Sequence, residues 1–100
     1  MNAPNSPAAL TRSVAESIAR RITRHLADQK IPARSLASVV NLVENDETEE
    51  ALDDLAHVIA YFRISIHRTE YDQLVAAAQQ LDAMDSLTNL KVEQFVTEQT

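Results

Sequence analysis

Apolar residues recur at helical spacing through most of the chain. The first stripe repeats every four residues and consists of Leu10, Val14, Ile18, Ile22 and Leu26. This spacing places the five side chains on one face of an α-helix. Ser6 is suited to cap that helix, and Pro7 to occupy its first position, where a missing N–H has no helical partner. We expect the helix to end near Gln29, because Pro32 disfavours helix in the residue before it.

Three further stripes predict three further helices. The second helix covers residues 33–44, with the apolar positions Leu36, Val39, Val40 and Val43. The third follows Asp46, a good N-cap with Glu49 three residues later as in a capping box. Its predicted core face consists of Ala51, Leu52, Leu55, Val58, Ile59 and Phe62. The fourth covers residues 68–83, with the inward positions Tyr71, Leu74, Val75, Ala78 and Leu81.

Two shorter apolar stretches complete the predicted architecture. Residues 64–66 alternate apolar and polar over too few positions for a strand, so we interpret them as an extended connector that buries both isoleucines. Residues 87–95 admit a short fifth helix. The pattern therefore predicts an all-α fold, a compact bundle of four helices with a short fifth. We expect one helical domain over residues 7–97, a flexible N-terminus over residues 1–6 and a frayed C-terminus over residues 98–100.

Composition excludes several classes of site. The 100 residues include no glycine, which phosphate-binding loops of the Walker and Rossmann types require, and no cysteine, which excludes disulfides and thiolate chemistry. The first residues show no basic start followed by an apolar run, and no apolar run approaches the ~18 residues of a membrane span. We expect a protein that stays in the cytoplasm and does not enter a membrane.

No pattern of catalytic or metal-binding residues is recognisable. The three histidines, His25, His57 and His67, have no histidine at i+3 or i+4 and form no H-E-x-x-H motif. His67 and Glu70 share a helical spacing but lack the second half of a di-iron carboxylate site. No serine stands in a nucleophile elbow, which needs glycine. We therefore expect a protein that is not an enzyme and has no catalytic residues, metal site or cofactor.

Charge is distributed unevenly along the chain. The net charge is −6, yet residues 1–34 carry six lysines and arginines against two carboxylates. Residues 35–62 carry seven carboxylates and no lysine or arginine. An acidic total disfavours direct binding to nucleic acid phosphates and favours a basic partner.

The acidic half of the chain resembles a known group of proteins. The resemblance is carried by residues 39–47 (VVNLVENDE), residues 50–55 (EALDDL), then Ile66, Glu70-Tyr71 and Leu74. It covers roughly residues 36–84 and is to Maf-type immunity proteins and similar helical immunity proteins of contact-dependent growth inhibition systems. It implies a small α-helical bundle that acts in the cytosol as an antitoxin. The implied partner is one cognate toxin domain, commonly a nuclease that acts on RNA.

Two functional hypotheses follow from charge and resemblance together. In the first, the protein is an immunity protein whose acidic residues meet the basic nuclease groove of a toxin, with an aromatic anchor. The predicted partner-binding residues are Glu44, Asp46, Glu47, Glu50, Asp53, Asp54 and Tyr61.

The alternative is a helical regulatory module that binds nucleic acid through its basic first helix. The predicted phosphate contacts are Arg20, Arg21, Arg24 and Arg34. The turn over residues 29–32 resembles helix-turn-helix spacing, although the second helix would enter the groove with Arg34 as its one base. An interaction protein of another kind stays open as well.

Overall fold

Helices dominate the computed structural model, which describes residues 5–25 and 30–97. In chain order its elements are α1 (Pro7–His25), α2 (Lys30–Glu44), α3 (Thr48–Phe62), β1 (Ile66–His67), α4 (Arg68–Leu81), α5 (Asp85–Thr88), a 3₁₀ turn (Val92–Phe95) and β2 (Val96–Thr97). The predicted all-α class is confirmed, with four long helices and one short one in the described part of the chain.

The start of α1 agrees with its sequence signal. The Ser6 hydroxyl accepts a hydrogen bond of 3.2 Å from the backbone N–H of Ala9, and Pro7 is the first helical residue. The predicted end near Gln29, the last apolar position Leu26, residues 1–4 of the predicted flexible N-terminus and residues 98–100 lie outside the described residues, whereas Asn5 and Ser6 form the turn that precedes α1. Helix α2 begins at Lys30, three residues earlier than predicted. It accommodates Pro32 because the first turn of a helix needs no N–H donor there.

The core lies where α1 packs on α2 and α4, and where α2 packs on α3. Its largest fully buried side chains are Ile18, Leu36, Leu52, Leu55, Ile59, Ile66, Leu74 and Leu87. The predicted inward face of the third helix is confirmed at its first three positions and at Ile59, but Val58 and Phe62 are only half-buried. Those two side chains stand at the edge of the core.

Three helices end in left-handed turns although the chain has no glycine. Asp46, Arg63 and Asp82 adopt φ values of 65°, 53° and 55° after α2, α3 and α4. After α3, the N–H of Arg63 bonds the carbonyl of Ala60, and the N–H of Ile64 bonds that of Ile59. This pairing is a Schellman motif, and the turns after α2 and α4 repeat it. The two hydrogen bonds of each turn pair backbone carbonyls at the end of the helix. The left-handed conformation that allows them is unfavourable for a residue with a Cβ atom.

The C-terminal segment differs from its predicted form. The predicted fifth helix over residues 87–95 is divided into α5 and the 3₁₀ turn, with Lys91 between them at φ 53°. Beyond it, β2 pairs in parallel with β1, Ile66 opposite Val96 and His67 opposite Thr97. The predicted connector over residues 64–66 thus ends in a two-residue strand, and of its two isoleucines Ile66 is buried as expected, whereas Ile64 is only half-buried. The partner of that strand lies 30 residues later in the chain, where local pattern does not reveal it.

Candidate protein-binding surface

The N-cap of α3 lies one residue later in the acidic segment than the capping pattern predicts. Asp46 was expected to be the N-cap, but it occupies the left-handed turn after α2, and Glu47 is the N-cap without a side-chain hydrogen bond. That prediction was wrong because the Schellman motif of α2 uses the same residue. Glu49 and Glu50 lie in the first turn of α3. They stabilise it there through the positive end of the helix dipole.

All seven predicted partner-binding residues lie at the surface. Asp53 is half-buried and the other six are exposed, Tyr61 most conspicuously, with an exposed fraction of 80%. Among the described residues, Tyr61 is the one large hydrophobic side chain that is exposed. Glu44, Asp46 and Glu47 surround the α2–α3 turn, whereas the remaining four belong to α3.

The residues of α3 divide cleanly between core and solvent. At about 100° per residue, one sector of about 140° contains no member of the buried core. We call this sector the outer face of α3, which consists of Glu49, Glu50, Asp53, Asp54, His57 and Tyr61 together with the half-buried Ala60. The buried residues occupy the opposite sector. Four carboxylates therefore precede Tyr61 along one side of a single helix, with about 16 Å of axis between Glu50 and Tyr61.

One side of the outer face borders an open groove between α2 and α3. The groove has a volume of about 430 Å³. We call it the Tyr61 groove, and its lining consists of Ser35, Ser38, Asp54, His57, Val58, Tyr61 and Phe62. The rings of Tyr61 and Phe62 meet edge to face, with centroids 4.9 Å apart at 85°. The half-buried Val58 and Phe62 thus contribute apolar surface to the groove, and Val58 also packs against the core.

The other side of the outer face borders an acidic cleft of about 540 Å³. Its carboxylates come from α3, from the turn after α4 and from the first residue of α5, and they are Glu49, Glu50, Asp53, Asp82 and Asp85. The described residues contain no group of three or more side chains placed to hold a metal ion. Its five carboxylates extend the acidic surface of α3.

Sequence pattern missed several residues of this surface. Asp82 and Asp85 join the acidic cleft through the packing of α5 on α3, for which no local signal exists. Ser35 and Ser38 face α3 from the exposed side of α2. Val58 was assigned to the core because it continues an apolar stripe.

The first helix contributes a half-buried arginine that pairs with a carboxylate of α4. Arg21 forms two hydrogen bonds with the carboxylate of Glu70, Nη1 to Oε2 at 2.8 Å and Nη2 to Oε1 at 2.9 Å. Nη2 also donates to the carbonyl of Ser65 at 2.9 Å. The Ser17 hydroxyl and the backbone N–H of His67 donate to the same carboxylate, at 2.6 and 2.8 Å. Both oxygens of Glu70 are therefore occupied, each by two donors, and the donors come from α1 and β1.

This network sets the protonation of Glu70. Burial would raise its pKa, but the hydrogen bonds from Arg21, Ser17 and the His67 amide outweigh burial and lower the pKa below its ordinary 4.5. An ionised carboxylate with both oxygens bonded in this way has no oxygen left for a metal ion. The His67–Glu70 spacing thus marks a helix start, since Glu70 is the third residue of α4 and bonds the N-cap backbone.

The arginines of the nucleic-acid alternative occupy different environments. Arg21 is committed to Glu70, whereas Arg20 and Arg34 are exposed. Arg12 pairs with Glu16 at 3.4 Å on the surface. The side chain of Arg24 lies outside the described residues. The internal pair removes one predicted phosphate contact from the basic face of α1.

None of the described helices is both long enough and apolar enough to span a bilayer. A comparison of the chain with protein-family models, curated proteins and solved structures finds no match.

Proposed function

We propose that this protein is a cytoplasmic immunity protein that binds and neutralises one cognate bacterial toxin domain, a nuclease that cleaves RNA. It acts through protein–protein contact and catalyses no reaction. The observation that carries the proposal is the outer face of α3, where four carboxylates precede a tyrosine that is 80% exposed. The resemblance of residues 36–84 to helical immunity proteins supports the same function.

Electrostatics explains why such a face suits a nuclease. An enzyme that cleaves RNA needs a positively charged groove for the phosphates. A row of carboxylates on one helix offers complementary charge, which accelerates encounter and orients the two proteins. The acidic cleft beside α3 widens this negative surface.

Tyr61 supplies apolar contact area, which the carboxylates of the outer face do not. A rigid aromatic side chain that is exposed in the free protein buries a large apolar area in a complex at a small entropic cost. Residues of this type dominate the energetics of protein interfaces, particularly near their centre. Since Tyr61 shares a face with Glu50 and Asp54, one docking event can use the charges and the ring together.

The test is co-expression with the toxin domain, which we expect in the variable C-terminal part of a large secreted protein encoded beside this gene. Bacteria that produce the toxin domain alone should stop growing and degrade their RNA. Production of this protein should restore growth and intact RNA, and the two purified proteins should co-elute as a complex. The combination Tyr61→Ala with Glu50→Lys should abolish protection.

Asp72→Lys provides the control, because Asp72 is exposed on α4 and lines neither the Tyr61 groove nor the acidic cleft. It should protect as well as the unchanged protein. Growth arrest despite abundant folded protein, with no complex, would refute the proposal. A gel shift with random duplex at low salt tests the nucleic-acid alternative, which predicts binding that weakens steeply as salt rises.

A further inference from the structure

The Tyr61 groove combines an exposed ring, an apolar floor and a carboxylate within two turns of one helix. We propose that it receives an arginine side chain of the partner. The guanidinium pairs with Asp54, and the methylene stem lies along Val58 and the ring of Tyr61. This inference rests on the proposed function for the identity of the partner as the toxin domain, and it names the side chain by which that partner is held.

The spacing of the lining residues requires a long occupant. Asp54 and Tyr61 are seven residues apart on α3, which is about 10 Å along the axis. Val58 lies between them on the groove side of the helix. A side chain that lies along this line touches apolar surface over most of its length and a carboxylate at its end. Arginine has this form, an apolar stem with a charged head.

The charge of the groove selects a cation. Its lining includes the carboxylate of Asp54 and no lysine or arginine. Glu50 and Asp53 lie on the neighbouring outer face and add to the negative potential. The Nδ1–H of His57 donates to the carbonyl of Asp53 at 2.9 Å, which holds the imidazole against its own helix. An acidic or neutral occupant would leave Asp54 without a partner.

The polar rim distinguishes arginine from lysine. Ser35 and Ser38 face α3 across the groove and offer hydroxyl oxygens as acceptors. A planar guanidinium carries five N–H donors, so it can bond Asp54 in a fork and still donate across the groove. A lysine ammonium is a compact, strongly hydrated charge without this planar fork.

Tyr61 is held in place without being covered. The edge-to-face contact with Phe62, at 4.9 Å, fixes one side of the ring, and the half-buried Phe62 anchors that contact to the body of the protein. The side chain nevertheless stays 80% exposed. A ring that is oriented before binding loses little freedom when a second surface stacks on it.

The experiment is an NMR titration of the whole protein with three capped pentapeptides that have alanine at every other position. Their central residues are arginine, lysine and citrulline, the last being an uncharged match for arginine. The arginine peptide should shift the signals of Asp54, Val58, Tyr61 and Phe62, and it should bind at least threefold more tightly than either of the others. Asp54→Asn should weaken its binding by about threefold or more.

Tyr61→Ala should weaken arginine binding comparably, and Tyr61→Phe should retain it, because the ring rather than the hydroxyl makes the contact. Asp72→Asn is the matched control for charge and should leave binding unchanged. Equal binding of the lysine peptide would overturn the assignment to arginine. Shifts confined to Glu49, Glu50, Asp82 and Asp85 would place the cation in the acidic cleft and overturn the proposal for the groove.

The titration uses no toxin, so it separates this inference from the proposed function. Protection of cells without binding of the arginine peptide in the groove would support the immunity function and refute the arginine site. Binding of the peptide in the groove without protection of cells would support the arginine site and refute the immunity function. In the toxin complex itself, Tyr61→Ala should weaken binding by about 30-fold or more.

Discussion

At the scale of single residues, Glu70 joins parts of the chain that are about 50 positions apart. Its carboxylate accepts hydrogen bonds from Ser17 and Arg21 of α1 and from the N-cap backbone of α4. Glu70 is almost completely buried, so its charge depends on these donors. A buried ion pair adds little net stability compared with an apolar pair, but loss of one partner leaves the other uncompensated.

Glu70→Gln should therefore lower the free energy of unfolding by about 2–3 kcal/mol, because Arg21 loses its counter-charge while it stays partly buried. Urea denaturation at neutral pH measures this loss. Glu16→Gln is the matched control, since Glu16 makes an exposed pair with Arg12 that contributes at most about 0.5 kcal/mol. Equal effects of the two substitutions would contradict the role of Glu70.

The same carboxylate predicts acid sensitivity. The pKa of Glu70 is lower in the folded protein than its ordinary 4.5, so the folded state binds this proton less readily than the unfolded state. The stabilisation is fully present above pH 4.5 and is lost as the pH falls below that value toward the folded pKa. Melting temperatures from about pH 6 to about pH 3 should fall more steeply for the unchanged protein than for Glu70→Gln. Parallel curves would show that other carboxylates govern acid unfolding.

Thr11 offers the opposite case, a buried polar group without a partner. Its side chain is fully buried, and its hydroxyl has no hydrogen-bond partner among the described residues. Thr11→Val keeps the shape and removes the unsatisfied hydroxyl, so it should raise the free energy of unfolding by about 1 kcal/mol. Thr69→Val, at an exposed position of α4, should change it by less than about 0.5 kcal/mol. A loss of stability in Thr11→Val would indicate that the hydroxyl is bonded.

At the scale of elements, the helix ends show how a chain without glycine makes its turns. Arg63 stands at the left-handed position of the Schellman motif after α3, where a Cβ atom costs about 1–2 kcal/mol. Arg63→Gly relieves that cost but increases the entropy of the unfolded chain, which costs about 0.4–1 kcal/mol. We expect a net gain of about 0.5–1 kcal/mol in thermal or urea unfolding.

The same substitution inside a helix provides the control. Arg20 is exposed within α1, where Arg20→Gly should cost about 1 kcal/mol. The two variants should thus move stability in opposite directions. Destabilisation by both would mean that the Arg63 side chain contributes more than its backbone conformation costs.

The elements were predictable wherever one segment contained its own signal. The Ser6 cap and the apolar stripe of α1 determine where that helix starts and which face it buries, and the structure agrees. The prediction failed where two segments compete for a residue or meet only after folding. Asp46 serves the end of α2 rather than the start of α3, and β1 exists only because β2 returns to it.

At the scale of the whole molecule, the positions of charge after folding matter more than their order in the sequence. The exposed position of Tyr61 could have been derived from its place on the same side of α3 as the acids. The groove beside it could not, because Ser35 and Ser38 reach it through the packing of α2 on α3. The sequence likewise predicts Arg21 as a phosphate-binding base at the surface, whereas in the structure it pairs with Glu70.

Charge reversal tests whether this surface steers a partner. Glu47→Lys with Glu50→Lys should slow association with the toxin domain and flatten its salt dependence, because long-range attraction is lost. Asp72→Lys with Glu93→Lys carries the same change of charge at exposed positions elsewhere and should have a smaller effect. Stopped-flow association over a series of salt concentrations measures both. Thermal melts of the free variants are needed too, since lysines at a helix start cost about 0.3–1 kcal/mol each. Unchanged rates for the first variant would move the interface away from the start of α3.

The short strand pair has a consequence for the way the molecule opens. Strand β2 holds Ile66 and His67, and the Thr97 hydroxyl donates to the carbonyl of Ile66 at 3.3 Å. The N–H of this same peptide group belongs to His67 and donates to the carboxylate of Glu70, so that proton is shielded by a side-chain carboxylate. In native-state hydrogen exchange it can be replaced by deuterium only when the carboxylate moves away. The exchange rate of one amide therefore measures how often the Glu70 carboxylate, which links α4 to Ser17 and Arg21 of α1, moves away from the strand pair.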